Sequence, residues 1–370
     1  MASLSILIPV RDSDQAPRTL VEALASNKAD FEIVVVAEDQ ALADRLGLAD
    51  LATIDSRARL AIPESRPKSA LSLWNFAVKS AHGDWVTLIR PNDIVEPDAL
   101  YVAEFAKGKL GQADAIGWNL LSVSADAEPG KSNSVAIPTQ YDISDLDKTR
   151  MLQAFFFWEN AGLLPKMPFG LYHGVLSRAT ANVIADSIAA SGREHDLAQW
   201  EWAARAVLVC EKLVFIARPL SVADATPYTA PKLPIRTEGF PFHAGIGLVA
   251  GIAEIQWSLF REMGADWSGA QEGFVRSCIY DCMNETDPQA FNAKCNAYFN
   301  ALKLWEGGQH AGLFRPQYLA EKQLDTRRGL HGNVLMIDRH IAGARDAQEF
   351  YKVVRNFLVP IGLICASEAA

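Results

Sequence analysis

The chain has 370 residues, 49% of them hydrophobic and 21% charged, with a formal net charge of −9. That length supports a large core and two structural units. The acidic balance argues against a general nucleic-acid binder, whose affinity rests on clustered Lys and Arg, but leaves room for a local basic pocket. Along the chain, residues 4–10 (LSILIPV) form an apolar run of the kind buried on both faces of a parallel sheet. A polar turn and a helix over 18–26 follow, then a second buried strand over 31–37 (FEIVVVA), which together make a βαβ unit. A short strand is expected at 52–54. A helix is expected over 69–81, with Leu73, Ala77 and Ala81 at four-residue spacing and Gly83 as its C-cap.

Residues 85–89 read as the next strand, followed by the turn Arg90-Pro91-Asn92-Asp93 and a helix with Pro97 in its first turn. A strand is expected over 114–123, a polar edge loop over 124–150, and strand character over 169–176. An amphipathic helix over 199–210 precedes two short strands at 213–216 and 220–222 that flank Arg218-Pro219. This alternation predicts an α/β fold with a mostly parallel sheet. After a proline-rich loop over 226–242 the pattern turns helical, at 246–263, 271–283, 288–305 and 347–359. A boundary near residue 235 therefore separates units of 1–235 and 236–370.

Ligands of open parallel sheets bind at the carboxyl ends of the strands. Those ends supply Pro9, Arg11 and Asp12, then Glu38 and Asp39, then Arg90, Asn92 and Asp93. The stretches LSILIPVRD, FEIVVVAED and LWNFAVKSAHGDWVTLIRPNDIVEPDAL, followed by QWEWAARAVLVCEKLVFIARPLSV, occur in an order that carries more information than any one of them. Over residues 3–225 the chain resembles the family-2 type of glycosyltransferases with the GT-A fold, Rossmann-like in its sheet. Asn75, Ala81, Gly83, Asp84, Asp93, Pro97 and Leu100 match positions of that family's pattern. The resemblance implies sugar transfer from a nucleotide-sugar donor to a glycan or lipid-linked acceptor by a single inverting displacement. Pro9, Arg11, Asp12 and Glu38 or Asp39 would line the base and ribose pocket. Lys68 would add a basic group there or be a solvated surface lysine, and Asn75 would be structural or lie near the nucleotide.

Two positions depart from the family pattern. The family's paired acids after the fourth strand handle the ribose and a divalent cation, Mg or Mn; here Arg90 and Asn92 stand there, with Asp93 next. Arginine cannot ligate a cation and asparagine offers only a neutral oxygen, which disfavours a metal cofactor. The family's catalytic base corresponds to Gln199, which cannot accept the proton. Glu194, Asp196 and Glu201 are the nearby acids, with Glu201 on a different helix face from Gln199. Two readings stay open. In one, Arg90 pairs with the diphosphate in place of the cation and a displaced carboxylate is the base. In the other, both chemical positions are lost and the chain only binds, as a partner of another transferase.

Trp200 and Trp202 are candidates to stack on an acceptor sugar, with core packing as the alternative. His173 is an acceptor-side candidate or a satisfied structural group. Arg236 can be read as closing over a diphosphate or as solvent-exposed. Residues 245–251 (GIGLVAG) superficially match a dinucleotide fingerprint, but have the wrong spacing and no preceding strand, so close helix packing is expected instead. The five cysteines, odd in number and irregularly spaced, fit a reducing cytoplasm. Cys278 and Cys282 lack a second ligand pair and read as core residues. The start MASLSILIPV lacks the features of a secretion signal, and no run reaches the roughly 18–20 apolar residues of a membrane span. A location in the cytoplasm, with the helical part shaping the acceptor site, supporting self-association or touching a membrane surface, is the corresponding expectation.

Overall fold

A computed structural model describes residues 3–12, 14–124, 133–159, 161–167, 169–225, 237–267, 271–321 and 324–367. Arg236 lies outside them. The strands are β1 (Leu4–Val10), β2 (Phe31–Ala37), β3 (Ala58–Ala61), β4 (Trp85–Leu88), β5 (Ile94–Val95), β6 (Ala115–Val123), β7 (Val135–Pro138), β8 (Ile143–Leu146), β9 (Val175–Ser177), β10 (Leu213–Asp224), β11 (Gly329–His331) and β12 (Val334–Ile337). The helices are α1 (Arg18–Ala25), α2 (Gln40–Arg45), α3 (Leu51–Ile54), α4 (Ala70–Lys79), α5 (Ala99–Leu110), α6 (Lys148–Phe156), α7 (Arg178–Ser191), α8 (Ala198–Val209), α9 (Leu248–Glu262), α10 (Gln271–Met283), α11 (Pro288–Leu304), α12 (Ala347–Val354) and α13 (Ile361–Ser367).

The main sheet runs β3-β2-β1-β4-β9-β6-β10-β5, with β8 also paired to β10. β1, β2, β3 and β4 are mutually parallel, as are β6 and β10, whereas β9 enters antiparallel between β4 and β6. This is the mostly parallel α/β architecture expected from the strand–helix alternation. β1 is buried throughout and β2 nearly so, which is why both read as unbroken apolar runs rather than alternating ones. Register then places the site. Val10 pairs with Ala37 and Leu7 with Leu88, so β1 and β2 end level with one another and the turn after β4 begins beside them.

Several local readings change. Residues 51–54 are helical, and the edge strand β3 comes later, where Ala58–Ala61 pairs with β2. The polar stretch 124–150 contains β7 and β8. Arg218-Pro219 does not separate two strands but lies at an irregularity within β10, between Ile216 and Ser221. Gly83 is not the C-cap of α4, a place taken by Ser80. It is glycine because β1 passes against it: a Cβ there would lie 2.7 Å from Ser5 N and 2.9 Å from Leu4 C. Its N–H donates to Ser5 Oγ at 2.8 Å.

Helices α4, α7 and α8 pack on one face of the sheet, whereas α9, α10 and α11 join α6 and α8 in a separate aromatic-rich core. Cys278 and Cys282 are buried in that second core. Gly251 of α9 faces Leu197 and Ala244 closely, so the GIGLVAG stretch does serve helix packing. Beyond α11 the chain returns to the sheet: β12 pairs with β7, and α12 and α13 pack into the core that holds α1 and α5. A buried group fastens this return. Arg218 donates to Glu96 at 2.7 Å and to the Val359 carbonyl at 2.7 Å, and the Tyr351 hydroxyl donates to the same Glu96 carboxylate. No described helix is long and apolar enough to cross a membrane.

The Gly83 contacts are to backbone, which cannot swing aside. Gly83→Ala should therefore cost about 3 kcal/mol, measured by urea unfolding. A loss below about 0.5 kcal/mol would show that the approach of β1 is not constrained there.

Candidate functional site

Because β1 and β2 end in register, the next residues of each, Arg11 and Glu38, stand side by side. Arg11 Nε donates to Glu38 Oε1 at 2.8 Å. The other carboxylate oxygen of Glu38 accepts from Arg66 Nη2 at 2.8 Å. Arg66 also pairs with Asp12, and with Asp39 at 3.2 Å, so one guanidinium bridges three carboxylates from the ends of two strands. Arg45 reaches Asp12 at 3.2 Å. Asp39 additionally caps α2 by accepting from Leu42 N at 2.8 Å. Pro9 is buried beneath these groups.

The loop before α8 closes one side. Arg11 Nη1 donates to Asp196 Oδ1 at 2.9 Å, and the same oxygen accepts from Ala70 N at 2.9 Å, at the start of α4. The Ser69 hydroxyl, which N-caps α4, donates to Glu194. Both acids are exposed at the mouth of the site. Burial opposes the charge on Arg11, but Glu38 and Asp196 more than offset it and its pKa is raised. Asp14, which accepts from Arg11 N at 2.7 Å, has its carboxyl pushed up by burial, against the pull of Arg11 and Arg90.

A second cluster lies after β4. Asp93 is 0% exposed and accepts from Arg90 N at 2.8 Å, the Tyr172 hydroxyl at 2.9 Å, Asp224 N at 2.9 Å and His173 Nε2 at 3.2 Å. Burial alone would raise its carboxyl, but His173 and Arg90 hold it at about 2. His173 is held at φ 52°, an uncommon conformation for a non-glycine residue. The Arg90 side chain runs along this cluster, donating to the Asp224 carbonyl at 2.6 Å and lying 5.3 Å from the Tyr172 ring. Asn92 is exposed and touches the Asp224 carboxylate at 3.5 Å.

These contacts decide whether a divalent ion fits. The oxygens of Asp93 already accept from protein donors, Arg90 occupies one expected ligand position, and no described group of three His, Cys, Asp or Glu residues can hold a metal. The donor set after β4 does not fit a divalent cation.

Other candidates fall away from the cleft. Trp200 and Trp202 are only 3% and 0% exposed, so neither presents a face to an acceptor sugar. Trp200 stacks on Phe155 at 6.3 Å between centroids. Glu201 is buried under Arg205 at 2.8 Å and both Arg193 and His195 at 3.2 Å. Burial would raise its carboxyl, but the hydrogen bond with His195 and the Arg193 and Arg205 guanidinium groups hold it at about 2, and its role is to pin α8. His173 is a structural partner of Asp93. Asn75 donates to the Ala185 carbonyl at 3.0 Å and ties α4 to α7. Lys68 is exposed in the loop before α4, and Gln199 is half-buried on α8. Arg66 had no motif to mark it; its only signal in sequence was a cation shortly before the helix that follows β3.

The fold and this layout of strand ends define a GT-A-type glycosyltransferase fold. The chain is similar to residues 1–349 of TarS from S. aureus: against the structure in complex with UDP-GlcNAc, the TM-score is 0.52 at 12% identity, covering 82% of this chain and 81% of that one. Against a further crystal structure of the same TarS fragment the TM-score is 0.50 at 13% identity, again with 82% and 81% coverage. No protein-family model matches the chain, and no curated protein does.

Asp93 and Glu201 titrate below the roughly 4 of unfolded carboxyls. The stability they contribute is present above about pH 4 and is lost as the pH falls towards 2. Asp93→Asn should cost about 3 kcal/mol at pH 7 and flatten the acid limb of a stability–pH curve. A variant with the wild-type acid slope would remove Asp93 as a source of that dependence.

Proposed function

We propose that this chain transfers a sugar from a nucleotide-sugar to a glycan or lipid-linked acceptor without a divalent metal, as a divergent relative of the family-2 transferases. The observation that carries this reading is the meeting of Arg11 and Arg66 on Glu38 at the level ends of β1 and β2, with Arg90 in the turn after β4 that begins beside them. The similarity to TarS crystallised with UDP-GlcNAc supports the donor class.

In this reading, Pro9, Asp12, Glu38 and Asp39 bound the base and ribose, while the guanidinium groups neutralise the diphosphate bidentately. The acceptor hydroxyl oxygen bonds to the anomeric carbon as the bond from that carbon to the diphosphate oxygen breaks. The electron pair leaves with the diphosphate, and the hydroxyl proton passes to a carboxylate. Glu194 and Asp196 are the exposed acids at the mouth. Residues 1–235 hold the donor, and helices within 236–370 bound the acceptor side. A cytoplasmic setting, peripheral membrane contact and self-association belong to the same proposal.

A second reading, binding without turnover, is favoured by Gln199 standing at the family's base position and by the burial of Glu201. The two separate by experiment. With EDTA present, a panel of UDP-, GDP- and dTDP-sugars should include one that the chain consumes with release of diphosphate. Arg66→Ala should lower that turnover at least about tenfold, because Asp12, Glu38 and Asp39 are then left uncompensated around the bound nucleotide. Stabilisation by a nucleotide with no sugar consumed would establish the binding-only reading, and absence of both would remove the donor site altogether.

A further inference from the structure

Around the ends of β1 and β2 the carboxylates outnumber the guanidinium groups that meet them: Asp12, Glu38 and Asp39 from the strand ends and Asp196 from the loop before α8 face Arg11, Arg45 and Arg66. A diphosphate cannot simply be added to such a cluster, because the cations are already engaged and the net charge is unfavourable. One carboxylate has to leave. Glu38 cannot, since its side chain is 5% exposed and held by two arginines. Asp196 can. Its side chain is 44% exposed, it rides on the loop between α7 and α8, and its described holds are one bond from Arg11 and one from Ala70 N.

We infer that Asp196 is a displaceable counter-ion of Arg11, which the donor's diphosphate expels and which, once expelled, becomes the base for the acceptor hydroxyl. This rests on the nucleotide-sugar reading and deepens it. In the closed arrangement, Asp196 Oδ1 accepts from a guanidinium and an amide, which together hold the carboxylate against Arg11. When phosphate oxygens take its place on Arg11 Nη1, that oxygen is freed beside the bound donor. The carboxylate is then released from Arg11 only when the donor is present. On transfer the proton goes to Asp196, the glycosidic bond forms, and the departing diphosphate keeps the electron pair of the broken bond.

The test uses Asp196→Asn, which removes the charge but keeps an oxygen for Ala70 N, so that α4 remains capped. Binding of UDP and of inorganic pyrophosphate to the whole chain would be followed by calorimetry in EDTA, alongside turnover of the donor found above. A counter-ion competes with its ligand, so the variant should bind both anions about three- to tenfold more tightly than wild type. Its kcat should fall at least about a hundredfold, with KM for the donor lowered rather than raised. A residue that merely supports the loop would weaken binding and raise KM.

Wild type that binds UDP beside a variant that binds it equally or less tightly would overturn the displacement while leaving the donor site standing. Tighter binding with kcat unchanged would overturn the role as base. Failure of wild type to bind either anion would overturn both this inference and the reading beneath it.

Discussion

One buried carboxylate holds the ligand-facing end of this sheet together. Asp93 draws donors from its own turn, from the Tyr172-His173 segment before β9 and from the end of β10, and so ties three parts of the chain at one point. A charge so far from water costs several kcal/mol unless it is fully paired, so its partners are not free to move independently. Gln348 of α12 adds to the constraint by donating to the Pro91 carbonyl at 3.3 Å. The cost of this arrangement is that Asp93 has no oxygen left for a metal. The polarity of the site therefore comes from arginines, and Arg90 is aligned by the same cluster that excludes the cation.

The ends of β1 and β2 follow the same logic with the charges inverted. There the acids belong to the strand ends and Arg66, half in solvent, stands among them as their shared cation. Such an arrangement resists simple addition of an anionic ligand, because each guanidinium already has a carboxylate. In the proposed reading, selectivity then depends on which of those carboxylates the ligand displaces. The distinction between Glu38, sealed behind two arginines, and Asp196, half in solvent on a loop, matters more to the chemistry than the number of charges.

Much of the sheet was legible in the sequence because it is buried on both faces. LSILIPV and FEIVVVA admit little besides central strands, and the resemblance carried the order of the pieces. The polar edges were not legible. β7 and β8 lie in a stretch whose composition reads as loop, since edge strands bury only part of their side chains. Residues 52–54 pass for a strand because so short a run has no period to read.

At the site, sequence order found Arg11, Glu38 and Arg90, which follow strands directly. It did not find Arg66, which enters from a loop, and it left Trp200 and Trp202 between acceptor stacking and core packing, of which the structure shows the second. The partners that bury them are distant in sequence: Phe155 and the helices after residue 248 for Trp200, and the core shared with α4 and α7 for Trp202. The burial of Glu201 was not legible for the same reason: Arg193 and Arg205 surround it only once α7 and α8 are packed together.

The claim on which the functional reading turns is that guanidinium groups, not a divalent ion, receive the diphosphate. Calorimetric titration of UDP into the chain, first in EDTA and then in excess Mg²⁺, tests it directly. The arginine site predicts binding in EDTA with an affinity that changes less than about threefold on adding metal, and that falls at least about tenfold in Arg90→Met. Binding that appears only with Mg²⁺, or that is untouched by the loss of Arg90, would contradict it.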